Sequence, residues 1–194
     1  MRELSEHLMD LVQNSRRAGA RLIEISVRAL VETDQLVLQV KDDGSGIGPE
    51  LLERVTDPYA TTRTTRPVGL GLPLLKELCE LTGGSLSIRS LPQEGTTVEA
   101  ALGLNHIDRL PLGDIGSTLS LLVLADPDQD YRLVLDSPRG RLDLATADIR
   151  SQLQDVPLRE PSVLDWLTGY VYEQQEIIFG GVLHEITSRT GSHS

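Results

Sequence analysis

The 194-residue chain is 39% hydrophobic with a formal net charge of −11, enough apolar content for a packed core but no large electrostatic footprint for nucleic acid or an anionic membrane. Its single cysteine, Cys79, excludes an intrachain disulfide and any cysteine-based zinc cluster. Lys41 and Lys76 are its only lysines and neither follows a glycine, which excludes a P-loop as well.

The opening stretch MRELSEHLMD is charged and amphipathic, without an apolar run of signal-peptide or membrane-span length, and predicts a cytoplasmic protein. Residues 3–18 are predicted to form a helix with Leu4, Leu8, Leu11 and Ser15 along one side. Two apolar or alternating stretches, 22–31 and 35–41, are predicted as paired strands joined around Glu32–Asp34. A short helix is expected over 49–55, with Pro49 at its first turn. Residues 56–68 are polar and aperiodic, and a loop of that length often covers a site. A helix over 70–81 should stop at Gly83-Gly84, followed by strands over 85–90 and 96–102.

Beyond residue 104 the pattern changes. Residues 105–126 fit a linker followed by a buried helix or strand, and 131–149 fit a hairpin turning at Pro138-Arg139-Gly140. Ser162 with Asp165 resembles a capping box, opening a helix that turns Val163, Leu167, Tyr170 and Val171 inward. The expected organisation is therefore a main domain over 1–104, a small α+β appendage over 105–179, and a mobile tail over 180–194.

Three stretches carry chemistry. On a helix of about 100° per residue, His7, Asp10, Asn14 and Arg17 fall within roughly an 80° arc. Asn14 offers magnesium a neutral amide oxygen, Asp10 can orient or deprotonate a water, and Arg17 can touch a phosphate. Alone, that stripe also fits the solvated face of an amphipathic helix. In KDDGSGIG, Asp42 ends a strand and can accept a hydrogen bond from an amino group such as that of adenine, while Gly44 and Gly46 let the backbone approach a flat ligand. An ordinary strand-to-turn ending has the same composition. Gly69 and Gly71 open the next helix, whose free N–H groups suit phosphate oxygens. The dinucleotide spacing fails there, because position 74 is Leu74.

The order of these boxes over 7–97 resembles the ATPase superfamily that joins DNA gyrase, the Hsp90 chaperones, sensor histidine kinases and MutL, and in particular its stand-alone histidine-kinase-like ATP-binding proteins. The resemblance implies ATP and magnesium as cofactors, with Asn14 as the metal ligand, Asp42 on the adenine amino group, Gly44 and Gly46 beneath the base, and Gly69 and Gly71 at the phosphates. It further implies Thr96 near adenine through water, Arg17 as the basic residue common in histidine kinases, and an ATP lid over 56–68 that carries Thr62 and Arg63. The implied fold is α+β: a two-layer α/β sandwich of the Bergerat type, with helices on one face of a mixed, mostly antiparallel sheet and a small C-terminal extension.

Departures from the pattern narrow the function. Hydrolytic members carry a glutamate four residues before the asparagine, where this chain has Asp10. One missing methylene withdraws the carboxylate by about 1.5 Å, and a misplacement near 1 Å lowers rates by on the order of 100-fold. Slow hydrolysis is the expectation. The helix that carries Asn14 begins almost at Met1, so no dimerising hairpin with a phosphoaccepting histidine is expected before it. The remaining chain is too short and too acidic for the DNA work of gyrase-like or MutL-like members. The sequence therefore predicts an ATP-dependent regulatory switch or slow ATPase acting on a protein partner. The alternative is a serine or histidine kinase of the anti-sigma-factor kind, with its acceptor supplied in trans. Nucleic acid and membrane are not expected as partners, and self-association is left open.

Overall fold

In a computed structural model, which describes residues 2–52 and 71–183, the alternating apolar runs pair into one six-stranded sheet of order β3-β4-β2-β1-β5-β6. The strands are β1 (Leu22–Leu30), β2 (Gln35–Asp42), β3 (Ser85–Leu91), β4 (Gly95–Gly103), β5 (Asp130–Ser137) and β6 (Gly140–Ala145). Four neighbouring pairs are antiparallel; β1 and β5 alone run parallel, with Ile25 opposite Leu133. The helices are α1 (Leu4–Arg17), α2 (Pro49–Leu52), α3 (Gly71–Leu81), α4 (Ile115–Ala125), α5 (Thr146–Leu153) and α6 (Pro161–Phe179). This is the expected α+β sandwich with a mixed, mostly antiparallel sheet.

Strand periodicity decides which face is dry. Ile23, Ile25, Val27 and Ala29 of β1 are buried at every second position, as are Leu36, Leu38 and Val40 of β2 and Tyr131, Leu133 and Leu135 of β5. The α1 stripe of Leu4, Leu8, Leu11 and Val12 joins this core, together with Leu72 and Leu75 of α3 and Leu119, Leu122 and Val123 of α4. On the opposite face charged pairs cross the strands: Lys41 to Glu24 at 2.9 Å, Arg132 to Asp143 at 2.9 Å and Arg28 to Glu99 at 3.3 Å. Alternating apolar and charged side chains let one face pack while the other stays wet.

The second half of the chain adds to the same sheet. Strand β5 docks on β1, β6 folds back on β5 through a turn at Pro138-Arg139, and α4 packs against α6. That helix pair is close: a Cβ built on Gly116 would lie 2.4 Å from the Thr168 carbonyl oxygen. The Thr168 hydroxyl donates to Ser120 Oγ at 2.7 Å across the same contact. Residues 115–125, open between helix and strand in the sequence, are helical; Asp114 caps them by accepting from Ser117 N–H at 2.8 Å.

The expected capping box at Ser162 is not formed. Helix α6 starts at Pro161 with Glu160 as its N-cap residue and no side-chain cap bond. A proline at the first turn already has helical φ and no N–H to satisfy, so the start needs no capping side chain. Tyr170 is half-buried, stacked on Trp166 at 5.4 Å, whereas Val163, Leu167 and Val171 are buried as expected. Among the described residues no helix is long and apolar enough to cross a membrane.

Candidate functional site

Asp42 continues the inward series of β2 after Leu36, Leu38 and Val40, so alternation places a carboxylate on the apolar face of the sheet. It is 7% exposed, a position that a charged group holds only with partners. The Ser15 hydroxyl donates to Oδ2 at 2.6 Å, and the backbone N–H groups of Gly44 and Thr96 donate to Oδ1 at 2.9 and 3.2 Å. An ionised carboxylate has roughly four acceptor positions, so three donors leave one for a ligand amino group.

The turn after Asp42 is fixed on both sides. Asp43 Oδ1 accepts from the N–H groups of Arg21 and Leu22 at 2.7 and 2.9 Å. Partial desolvation acts to raise the Asp43 carboxyl, and those backbone bonds outweigh it and hold it below the usual range. Ser45 N–H donates to the Ala18 carbonyl at 2.9 Å, tying the turn to the end of α1. Gly46 has φ of +67°, and a Cβ there would lie 2.0 Å from the Leu91 carbonyl oxygen; only glycine fits. Ser90 completes the far wall: its Oγ accepts from Ile47 N–H at 2.8 Å, donates to the Gly95 carbonyl at 2.9 Å, and lies 2.8 Å from Thr96 Oγ1.

Helix α1 brings the other end of the site. Ser15, bonded to Asp42, follows Asn14 directly, so the helix of the predicted metal ligand is tied to the predicted adenine acceptor. Asn14 is half-buried, and its Oδ1 lies 3.5 Å from an Arg17 guanidinium nitrogen, the outer limit of a hydrogen bond. Asp10, also half-buried, packs on the first residue of α3: a Cβ on Gly71 would lie 2.7 Å from Asp10 Oδ2. Gly71 is therefore small because a carboxylate of α1 occupies the adjacent space. His7, one turn before Asp10, is buried rather than solvated, and its Nδ1 has no hydrogen-bond partner. Burial lowers the pKa of its imidazole, against the opposing pull of the Asp10 and Glu6 charges.

The structure thus gathers Ser15, Gly44 and Thr96 on Asp42, with Gly46 in the same turn, sets Arg17 beside Asn14 on α1, and packs Asp10 of α1 against Gly71 of α3. Thr62, Arg63, Gly69 and the predicted lid over 56–68 lie outside the described residues, as does the chain beyond 183. Sequence reasoning missed Ser15, taken as part of the apolar stripe, and Ser90. The signal was present in both. Each is a hydroxyl at a position whose period assigns it to the core, and buried hydroxyls need partners.

The donor set fits ATP and magnesium. The Asn14 amide oxygen is a hard neutral ligand of the kind magnesium takes singly beside waters and phosphate oxygens. Among the described residues no group of three His, Cys, Asp or Glu side chains could hold a metal by itself.

The sequence profile of histidine kinase-, DNA gyrase B- and HSP90-like ATPases matches residues 2–106. Over 93 residues the chain is 36% identical to the sensor histidine kinase ZraS of Salmonella typhimurium, covering 47% of this chain and 20% of that protein. It is 35% identical over 105 residues to the histidine protein kinase DivJ of Caulobacter vibrioides, covering 52% and 18%. It is also 34% identical over 117 residues to the non-motile and phage-resistance protein of that bacterium, covering 56% and 14%. The chain spans a fifth or less of the length of these relatives. A crystal structure of the N-terminal domain of a DNA repair protein aligns with a TM-score of 0.53 at 19% identity, over 75% of this chain and 53% of that one, a likeness of fold alone.

Proposed function

The chain belongs to the family of histidine kinase-, DNA gyrase B- and HSP90-like ATPases, and from that premise we propose that it binds ATP with magnesium and acts as a nucleotide-dependent switch or slow ATPase toward a protein partner. The observation that carries this reading is the 2.6 Å bond from Ser15 to Asp42, which ties α1, the helix of Asn14, to the carboxylate proposed to receive adenine. Bound ATP–magnesium supplies a transferable phosphoryl group whose charge the metal partly neutralises. Asp42 accepts the adenine amino group, Asn14 holds the metal, and Arg17 reaches the phosphates. Asp10, one methylene shorter than the family's glutamate, orients water poorly, which favours holding nucleotide over rapid hydrolysis.

A switch needs different affinities in its two states, and about 1.4 kcal/mol shifts a population tenfold. Titration calorimetry with ATP, with and without magnesium, tests the binding step; wild-type protein that binds guanosine but not adenosine nucleotides would contradict the role of Asp42. Limited proteolysis tests the switch: the cleavage pattern of the chain should change with ATP–magnesium, and an identical pattern with and without it would refute the switch.

Phosphotransfer to a serine or histidine supplied in trans is the second reading, supported by the identity to sensor histidine kinases and by Arg17 beside Asn14. Incubation with γ-labelled ATP and candidate partners decides it, since label confined to nucleotide and free phosphate rules it out.

A further inference from the structure

The strand layer and the helix layer end together on one side of the molecule. Strand β6 is last in the sheet order, and among the described residues it pairs only with β5. Helix α4 packs against both α1 and α6, and α6 packs in turn against β5 and β6. The Ser137 hydroxyl donates to the Ile178 carbonyl, and a Cβ on Gly140 would lie 3.6 Å from the Ile178 side chain, so the strand edge and α6 meet there.

One flank of α6 is left without cover. Val163, Leu167, Val171 and Ile178 face the core, and α4 occupies the flank beside them: a Cβ on Gly116 would crowd the Thr168 carbonyl and the Tyr172 nitrogen, and Ser120 Oγ donates to the Leu164 carbonyl. At about 100° per residue, Trp166, Tyr170, Glu173 and Ile177 fall on the opposite flank. Trp166 is 51% exposed and Ile177 50%, and the Trp166 ring stacks on Tyr170. Four of the chain's six aromatic residues, Trp166, Tyr170, Tyr172 and Phe179, stand on this one helix. Aromatic side chains are enriched where protein surfaces bury one another, whereas a flank that faces only water needs none.

The strand edge is complementary to itself. Ser137 faces Gly140 across a two-residue turn, so antiparallel alternation aims the backbone N–H and C=O of Leu142 and Leu144 at β5 and those of Arg141 and Asp143 outward. Both of those side chains lie on the wet face, where Arg141 bridges to Asp136 and Asp143 to Arg132. Like charges would guard such an edge against a second strand, but here the signs alternate. Pairing β6 antiparallel with its own copy about Leu142 sets Arg141 opposite Asp143 twice; the registers two residues to either side set Asp143 on Asp143 or Arg141 on Arg141. We propose that β6 and α6 form a two-fold interface with a second copy of this chain, the sheets joining edge to edge and the uncovered flanks of α6 meeting beside them. Asp42 lies on β2, separated from this edge by β1 and β5, so the inference does not rest on the ATP reading.

Sedimentation of the 194-residue chain over a dilution series is the test, with Trp166 emission as a second readout because it is the chain's one tryptophan. The wild type should approach twice the monomer mass as concentration rises, its emission moving to the blue as Trp166 leaves water. Arg141→Asp sets carboxylates opposite Asp143, and Trp166→Ala removes the aromatic anchor; each should weaken association by about tenfold or more. Combining Arg141→Asp with Asp143→Arg should restore it, since the pairing is reversed rather than lost. Trp166→Ala alters an exposed side chain far from the strand charges, so it keeps the test decisive if Arg141→Asp fails to fold. A wild type that stays monomeric throughout overturns the inference, whether the edge is then bare or taken by residues 184–194 of the same chain. A dimer that Arg141→Asp and Trp166→Ala both leave at wild-type strength overturns it as well, because it must form elsewhere.

Discussion

The two halves of this chain put their buried polar groups to different use. Before residue 106 several polar groups meet at one place, where the Ser15 hydroxyl and the Thr96 N–H both bond Asp42 at the end of β2, while the buried Ser5 and Thr82 bond locally, to Glu3 and to the Leu78 carbonyl. After it they close on each other. Gln175 donates to the Gly113 carbonyl at 2.9 Å and accepts from Ile115 N–H at 3.1 Å. Thr146 accepts from Tyr131 N–H at 2.9 Å, and Thr168 meets Ser120. Groups arranged around a shared space mark a site, whereas groups that consume one another's capacity mark a scaffold. The Tyr131 hydroxyl is the exception in the second half, buried without a partner beside the charges of Arg16 and Asp126; burial pushes that phenol up to about 12.

The sharpest way to break the contrast is to unfold one half without the other. Because β5 pairs with β1 over seven positions, Leu133→Ala should destabilise the whole chain by about 2–5 kcal/mol in one cooperative urea transition. Trp166 fluorescence reports α6 and far-ultraviolet dichroism reports the sheet; midpoints that separate would show two independent units. On the ligand side, Asp42→Ala should weaken ATP by about 1.5–3 kcal/mol, the scale of a hydrogen bond to a charged group, measured by calorimetry. Unchanged affinity would remove Asp42 from the site. Gln175→Leu is the matched change in the scaffold. It leaves two backbone groups unpaired and should lower stability by about 1–3 kcal/mol without altering ATP affinity; a change in affinity would show that the second half reads the site.

Two smaller effects sharpen the boundary. Burial disfavours the charged form of His7, so the folded chain binds that proton less readily than the unfolded chain, whose imidazole titrates near 6.5. Stability from this group is present above that value and is lost as pH falls below it. The melting-temperature gap between His7→Leu and wild type should accordingly widen from pH 7 to pH 5; a constant gap would place His7 in a solvated setting. Arg16 and Asp126 form a half-exposed bridge between α1 and the end of α4 at 3.1 Å. Arg16→Ala should change stability by about 0.2–1 kcal/mol at most, falling with salt in chemical denaturation. A larger loss would make this bridge a structural link between the halves.

How much of this was legible differs by region for a physical reason. Asn14, Asp42 and the glycines stand out in the sequence as candidates because ligand chemistry would fix residue type and spacing along short segments. Ser15 and Ser90 were hidden by periodicity: both sit where a core residue belongs, and only the neighbouring strand shows that each faces a polar group. The hairpin at 131–149 was legible from alternation, but its docking was not, because alternation specifies a face and not a neighbour.

The sequence by itself determined the dry face of the strands, the helix stripe of α1, and the candidate oxygen donors Asn14 and Asp42, since these follow from local period and side-chain chemistry. Only the tertiary structure decided that β5 continues the sheet from β1, that Asp10 abuts Gly71, and that His7 is sealed away without a partner. Those facts depend on which segments, distant in the chain, come to share an interior, and no local pattern encodes that choice.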